Sequence, residues 1–402
     1  MALDKKRNFW YSFFMKPRKL TFQLENAIEK PNKRIVFLWG PRQVGKSTIL
    51  NHLLKEYGGS YFNFDNLEDQ RLFTPELDKL ESAINFKSGG KKAKMVFIDE
   101  IQKLPGSTQS IKLLSDITDY LIVATGSSEL RAKTNQFDTL AGRFLEFILF
   151  PLTLDEMAIF DDKGKDFVDR PDFAQSKFLA NYLEPCMIYG SYPGVATSIN
   201  KIEELKNITQ NSVIKDIVNI YDLKNTDLVY NLLRLLSMQI GNLINVTELA
   251  SSLGTTKITI DNYLSILAKN RIIYLLAPFK TNKRRAYTER KKVFFYDLGI
   301  RNALIDDFRP IDLRQDLGAV FENLIVMGNL RQIQYRKNNN KLFYYREIAG
   351  RQKEIDLIIE TPQGERNAFE VKYSGGQVNK FPELGISNFE IISRENAAGF
   401  LV

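Results

Sequence analysis

Gly40-Pro41-Arg42-Gln43-Val44-Gly45-Lys46-Ser47 stands between the apolar run Arg34-Ile35-Val36-Phe37-Leu38-Trp39 and the helix-forming Thr48-Ile49-Leu50. The pattern is GxxxxGK[ST] with a strand before it and a helix after it, the context that removes most chance matches. Its glycines fall where the backbone must turn tightly and present N–H groups to phosphate oxygens at a helix N-terminus. The reading is a nucleoside-triphosphate loop. Residues 40–48, Thr48 included, cradle the phosphates of ATP, Lys46 reaches the β- and γ-phosphates, and Ser47 offers its hydroxyl to the Mg²⁺ that bridges them. The plain alternative is a glycine-rich turn without a ligand.

About fifty residues on, Lys94-Met95-Val96-Phe97-Ile98-Asp99-Glu100 is an apolar strand ending in two carboxylates. It reads as a Walker B element, with Asp99 in the Mg²⁺ shell and Glu100 orienting and deprotonating the attacking water. Alone, the pair would be an ordinary solvated strand end. Further apolar strands are predicted at 34–39, 60–64, 120–124 and 144–149, separated by longer amphipathic or polar stretches. That alternation predicts an α/β domain, a parallel sheet covered by helices. The fourth strand runs into Thr125-Gly126-Ser127-Ser128. Hydroxyls at the carboxyl end of a strand lie beside the phosphate site in such sheets, so Thr125 is assigned to the nucleotide; a turn with a helix cap is the other reading. Leu140-Ala141-Gly142-Arg143 precedes the fifth strand. Arg143 suits an arginine finger, in cis or from a neighbouring subunit, because a guanidinium spreads charge on a transferring phosphoryl; a solvated arginine is the alternative.

With 402 residues the chain exceeds what one hydrophobic core normally serves, and its 44% hydrophobic and 26% charged residues are those of a folded protein. A single cysteine, Cys186, and a single histidine, His52, leave no disulfide framework and no Cys/His zinc site, which fits a reducing, cytoplasmic setting. No apolar run approaches the roughly 18 residues of a membrane span. The segment Phe9-Trp10-Tyr11-Ser12-Phe13-Phe14-Met15 is too short for one and reads as a docking arm or first helix. The net charge of +8 gathers in two patches. Lys5, Lys6, Arg7, Lys16, Arg18 and Lys19 face only Asp4 in the first twenty residues; Lys280, Lys283, Arg284, Arg285, Arg290, Lys291 and Lys292 face only Glu289.

Five segments follow from these patterns: a basic arm over 1–29, the P-loop domain over 30–160, a helical lid over 161–226, a winged helix over 227–300 and a last domain over 301–402. The lid is interrupted by Tyr189-Gly190-Ser191-Tyr192-Pro193-Gly194 and preceded by a charged insertion at 161–166. The winged helix rests on an apolar helix at 228–238, a capped helix ending at Gly254, a longer helix at 257–270, and strands at 272–276 and 293–296 joined by the basic stretch. The basic wing, 280–292, would lie against DNA phosphates; a protein-docking module is the other reading. A sequence-specific regulator would read bases with Lys257, Thr259 and Asn262.

The last domain carries a second chemical signal. A strand at 353–360 turns at Thr361-Pro362-Gln363-Gly364 into a returning strand at 368–372. Period-two alternation puts Glu370 and Lys372 on one face, and the hairpin brings Asp356 towards them. Two carboxylates would clamp Mg²⁺ while the lysine stabilises developing phosphorane charge, with Glu322, near the start of an upstream helix, completing the shell. The plain alternative is an Asp356–Lys372 ion pair on a solvated sheet edge. Between Arg301 and Val402, 14 basic and 14 acidic residues cancel, so DNA would have to be delivered by the wing.

GPRQVGKST, the FIDEIQK strand, the GSS turn, LAGR before a strand ending in FPL, and GSYPGV together resemble the bacterial and archaeal AAA-superfamily ATPases whose C-terminal domain, of unknown function, has a restriction-endonuclease-like fold. The resemblance covers nearly the whole chain. It implies a P-loop core of strand order 5-1-4-3-2, supports the arginine role of Arg143, and raises Asp356, Glu370 and Lys372 as nuclease-motif positions. Ile355 stands where that motif commonly has proline, and Ser47 where threonine is commoner. The reading is therefore a Mg²⁺-dependent ATPase that couples ATP turnover to DNA binding and cleavage. Its rival is a nucleotide-switched interaction protein with an inactive nuclease-like platform and a protein partner.

Overall fold

A computed structural model of the chain describes residues 16, 18–30, 34–90, 94–127, 140, 142–161, 177–221, 223, 225–279, 290–347, 354–376 and 384–401. The arm at 9–15, most of the charged insertion and the wing residues 280–289 lie outside them. The chain divides into two units, Met1–Phe150 and Pro151–Val402.

The first unit is built on five strands, β1 (Ile35–Gly40), β2 (Ser60–Asn63), β3 (Met95–Asp99), β4 (Leu121–Ser127) and β5 (Phe144–Ile148). All pair in parallel in the order β2-β3-β4-β1-β5, which is the 5-1-4-3-2 sheet read from the other edge. Strands β1, β3 and β4 are buried along their whole length, which is why they open as continuous apolar runs rather than alternating ones. Helices α1 (Lys19–Glu29), α2 (Lys46–Tyr57), α3 (Leu77–Lys87) and α4 (Ser107–Ile117) accompany the sheet. Phe37 stacks on Trp39 with ring centroids 5.1 Å apart, and the indole N–H of Trp39 donates to Glu146 at 3.0 Å, so its one polar atom is satisfied inside the core.

In the second unit α5 (Thr226–Met238), α6 (Val246–Ser252) and α7 (Lys257–Lys269) begin at Asn225, Asn245 and Thr256, whose side chains each accept from a backbone N–H of the first turn. A two-stranded antiparallel ribbon follows, β6 (Ile273–Leu276) and β7 (Lys292–Phe295). Next come α8 (Leu298–Ile305) and the 20-residue α9 (Leu317–Arg336). Apolar residues surround α9 on every side, so it runs through the core rather than along the surface. Asn323 on α9 fixes the ribbon to it, accepting from Phe295 N at 2.7 Å and donating to Phe295 O at 3.0 Å. A mixed sheet of order β11-β10-β9-β8 completes the unit, from β8 (Lys341–Arg346), β9 (Glu354–Glu360), β10 (Arg366–Val371) and β11 (Asn388–Ile392). Strands β9 and β10 pair antiparallel, β10 and β11 parallel.

The Gly190-Ser191 turn is absorbed by this packing. The buried Asp297 carboxylate accepts from Ser191 N at 2.7 Å, and the Arg331 guanidinium spans Leu152 O at 3.1 Å, Ser191 Oγ at 3.2 Å and Tyr296 O at 2.6 Å. Its motif residues thus hold the core together. Among the described residues no helix is long and apolar enough to cross a membrane.

Candidate functional site

The 40–47 loop leaves the carboxyl end of β1 and enters α2 at Lys46. A side chain on Gly40 would put its Cβ 2.5 Å from the carbonyl oxygen of Leu149, so only glycine allows the chain after β5 to pass this close. Gly45 caps α2 with φ +98°, a left-handed backbone that points successive N–H groups inward. The Lys46 ammonium is buried and donates to Gly40 O at 3.0 Å and Pro41 O at 2.8 Å, inside the loop it serves. Arg18 fastens the loop from behind. Its guanidinium donates to Val44 O at 2.7 Å and to Phe150 O at 2.6 Å, so one cation of the amino-terminal patch is buried structure rather than a free surface charge.

Asp99 lies at the carboxyl end of β3, buried, with one carboxylate oxygen accepting from the Thr125 hydroxyl and the other from Tyr61 Oη at 3.2 Å. Thr125 Oγ1 also accepts from Glu100 N at 3.3 Å. Thr125 is therefore occupied with shaping the paired carboxylates. The hydroxyl of that strand end left over is Ser127, which is buried, pairs in register with Gly40, and has no hydrogen-bond partner for its Oγ among the described residues. A buried orphan hydroxyl beside the first glycine of a phosphate loop fits a phosphate oxygen. Gln102 joins the two strand ends: its amide donates to the Glu100 carboxylate and accepts from Ser127 N at 3.3 Å.

Glu100 holds a left-handed backbone with φ +55°, uncommon for a residue with a side chain and frequent where function requires it. Burial pushes its carboxyl above the usual glutamate range, with Lys46 pulling the other way. Two consequences have opposite signs. As a base Glu100 must be ionised, so the acid limb of the rate profile is expected above the pH of an ordinary glutamate. Because the folded-state pKa is raised, folding takes up a proton and stability falls as pH climbs from the unfolded value through the folded one. Glu100→Gln is therefore expected to gain stability over the parent at alkaline pH and to lose that advantage near pH 4, which thermal melts across pH will read.

Arg143 does not join this cluster within one chain. It immediately precedes β5, whose first residue pairs with Ile35, so Arg143 sits at the amino edge of the sheet whereas the loop leaves the carboxyl edge after Gly40. One length of β1, roughly 16 Å at 3.3 Å per residue, separates the two edges. Its guanidinium instead pairs with Asp116 at 2.8 Å and is half exposed.

The structure rearranges the second candidate cluster. Asp356 is brought to the returning strand, where its carboxylate accepts from Val371 N at 2.9 Å. Lys372 pairs with Glu370 at 3.3 Å, not with Asp356. The partner of Asp356 is Lys292, expected on the wing surface but 4% exposed at the start of β7. Its ammonium lies 2.9 Å from Glu322, 2.6 Å from Glu354 and 3.8 Å from Asp356, with the Tyr344 ring 5.6 Å away. Burial works against that ammonium, yet the three carboxylates outweigh it and hold it above the ordinary lysine range. Burial raises the Glu322 carboxyl to about 8 and that of Asp356 to about 6, with Lys292 opposing both. Among the described residues no group of three or more His, Cys, Asp or Glu side chains is arranged to hold a metal ion. Sequence reasoning missed Lys292 because Arg290-Lys291-Lys292 reads as one basic run; the available signal was that Lys292 opens the apolar strand Val293-Phe294-Phe295.

Comparison with known proteins adds three family matches. Residues 32–158 match the family described as AAA domain, residues 180–310 the domain of unknown function DUF8612, and residues 317–402 the domain of unknown function DUF4143. Among curated relatives, two uncharacterized proteins of Methanocaldococcus jannaschii are 27% and 24% identical, over 88% and 90% of this chain and 78% and 80% of their own lengths. Among solved structures, the RuvB Holliday junction branch migration motor of Thermotoga maritima superposes with a TM-score of 0.33 at 18% identity, covering 67% of this chain and 92% of that one.

Proposed function

We propose that this chain, an AAA-type ATPase with a C-terminal domain of unknown function, couples Mg²⁺-dependent ATP hydrolysis to DNA binding through helices α5 to α7 and the β6–β7 ribbon. The observation that carries the hydrolytic half is the convergence of the 40–47 loop, Asp99, Glu100 and the orphan Ser127 hydroxyl at the carboxyl ends of β1, β3 and β4. The glycine cradle, the buried Lys46 and this hydroxyl fit a triphosphate. Lys46 would neutralise its β- and γ-oxygens, Ser47 and Asp99 would hold the ion, and Glu100 would remove the proton of the attacking water. A Mg²⁺ ion held there by Ser47 and Asp99 would supply charge neutralisation to the triphosphate. Arg143, at the opposite edge, serves a nucleotide held by another copy.

The DNA half rests on the order helix, helix, helix, ribbon with a basic connection, the arrangement of a winged helix. Lys280, Lys283, Arg284, Arg285, Arg290 and Lys291 remain as its phosphate contacts once Lys292 is set aside. Each phosphate neutralised adds about 0.9 to the slope of log affinity against log salt, so Arg284→Ala/Arg285→Ala is expected to flatten that slope by up to about two. An unchanged slope, or no duplex binding to titrate, refutes the DNA half. One observation favours the interaction-protein reading: Ile258, the second residue of α7, is 74% exposed, an apolar side chain where a base-reading helix would present a polar one.

A further inference from the structure

We infer that the carboxylate cluster of the C-terminal domain is a cation site filled by the chain's own lysine, so that Lys292 stands where the nuclease-like reading requires Mg²⁺. The domain then acts without cutting phosphodiesters. This goes beyond the ATPase and DNA-binding reading and does not depend on it.

Glu322 comes from α9, Glu354 and Asp356 from β9, and the ammonium from β7, a strand that Asn323 locks against α9 one residue from Glu322. Lys292 therefore enters the cluster as a fixed part of the fold and not as a surface side chain swinging by. Its nitrogen approaches one oxygen of each of three carboxylates, and its contacts to Glu322 and Glu354 have hydrogen-bond lengths. A hard divalent ion asks for several oxygens at about 2.0–2.6 Å around one point. Here that point belongs to a nitrogen, and a cation brought beside it would meet a like charge in a poorly hydrated place.

Charge makes the same case. Glu322 and Asp356 are largely withdrawn from water, and gathering three carboxylates there without a cation would be costly. One ammonium balances part of the cluster, and the raised carboxyl of Glu322 allows it to hold a proton near neutral pH, still accepting from Lys292 through its other oxygen. The residues that the nuclease motif would recruit are divided accordingly: Asp356 faces Lys292, while Glu370 and Lys372 neutralise one another. The Mg²⁺ site expected from Glu322, Asp356 and Glu370 does not fit this arrangement.

Mn²⁺ is the probe, titrated into the nucleotide-free full chain with thermal melting and electron paramagnetic resonance as readouts. The wild type is expected to show no Mn²⁺ site, and no Mn²⁺-dependent rise in melting temperature, that Asp356→Asn removes. Lys292→Met vacates the position while leaving the carboxylates, so it should gain one Mn²⁺ per chain that stabilises it, lost again in Lys292→Met/Asp356→Asn and retained in an Asp99→Asn background. A folded Lys292→Met that takes up no Mn²⁺ overturns the inference. So does a wild-type Mn²⁺ site, or Mg²⁺-dependent plasmid cleavage, that disappears with Asp356→Asn. Should Lys292→Met fail to fold, Lys292→Arg, which keeps the cation, and the wild type decide: in an Asp99→Asn background both must refuse Mn²⁺.

Discussion

Glu100→Gln is expected to slow ATP hydrolysis by roughly 10² to 10⁴-fold while ATP stays bound, the range that follows from removing a positioned general base. Geometry and environment both enter. The carboxylate is set by a left-handed backbone, tied to the Gln102 amide, and placed next to Asp99, which Thr125 and Tyr61 fix. Glutamine keeps the size and the contact to Gln102 but takes no proton, so binding and turnover separate. Phosphate release and equilibrium binding of a fluorescent ATP analogue, measured on the same preparations, read the two. Equal loss of both would make Glu100 a binding residue, and no loss of turnover would remove it from the chemistry.

Lys292→Met is expected to destabilise the second unit by up to about 3–5 kcal/mol, the cost of leaving part-buried carboxylates without their main cation. For a unit of this size that is a fall of roughly 6–20 °C in melting temperature. The loss has a pH signature. Asp356 and Glu322 have carboxyls raised by burial, to about 6 and about 8, so folding takes up protons at them and their contribution to stability declines as pH rises from about 4 to about 8. Removing the ammonium deepens that decline, so the variant should trail the parent more at pH 8 than at pH 5. Glu322→Gln keeps an oxygen for Lys292 and removes one chargeable group, and is expected to gain on the parent above pH 8. A Lys292→Met chain as stable as the parent at both pH values would mean that the carboxylates are solvated and the ammonium incidental.

The fold of the first unit and the placement of its glycine loop were legible in the sequence because local pattern and tertiary role coincide there. A fully buried parallel strand must be an apolar run, a phosphate loop must carry glycines where backbone passes backbone, and both signals sit within a few residues of the groups they position. Thr125 and Ser127 show where that stops. Both are hydroxyls on one strand, and which one faces Asp99 depends on the β3–β4 pairing, a long-range fact. Arg143 was legible as a conspicuous arginine before a strand, whereas the edge of the sheet it occupies follows from parallel register with β1. The second unit hides more. Lys292 belongs by sequence to a basic run and by structure to a strand that Asn323 holds against α9, and no local period distinguishes the last charge of a turn from the first residue of a buried ribbon. Lys372 likewise shares a face with Glu370 as alternation requires, and alternation alone does not say that Asp356 finds a different lysine.

Steady-state phosphate release by the full chain at saturating Mg²⁺-ATP, with Lys46→Ala measured beside it, tests the central claim most directly. The wild type is expected to release phosphate in a Mg²⁺-dependent manner, and Lys46→Ala to lose both nucleotide binding and release. Release that is unchanged in Lys46→Ala, or a wild type that neither binds nor hydrolyses ATP, would contradict that claim.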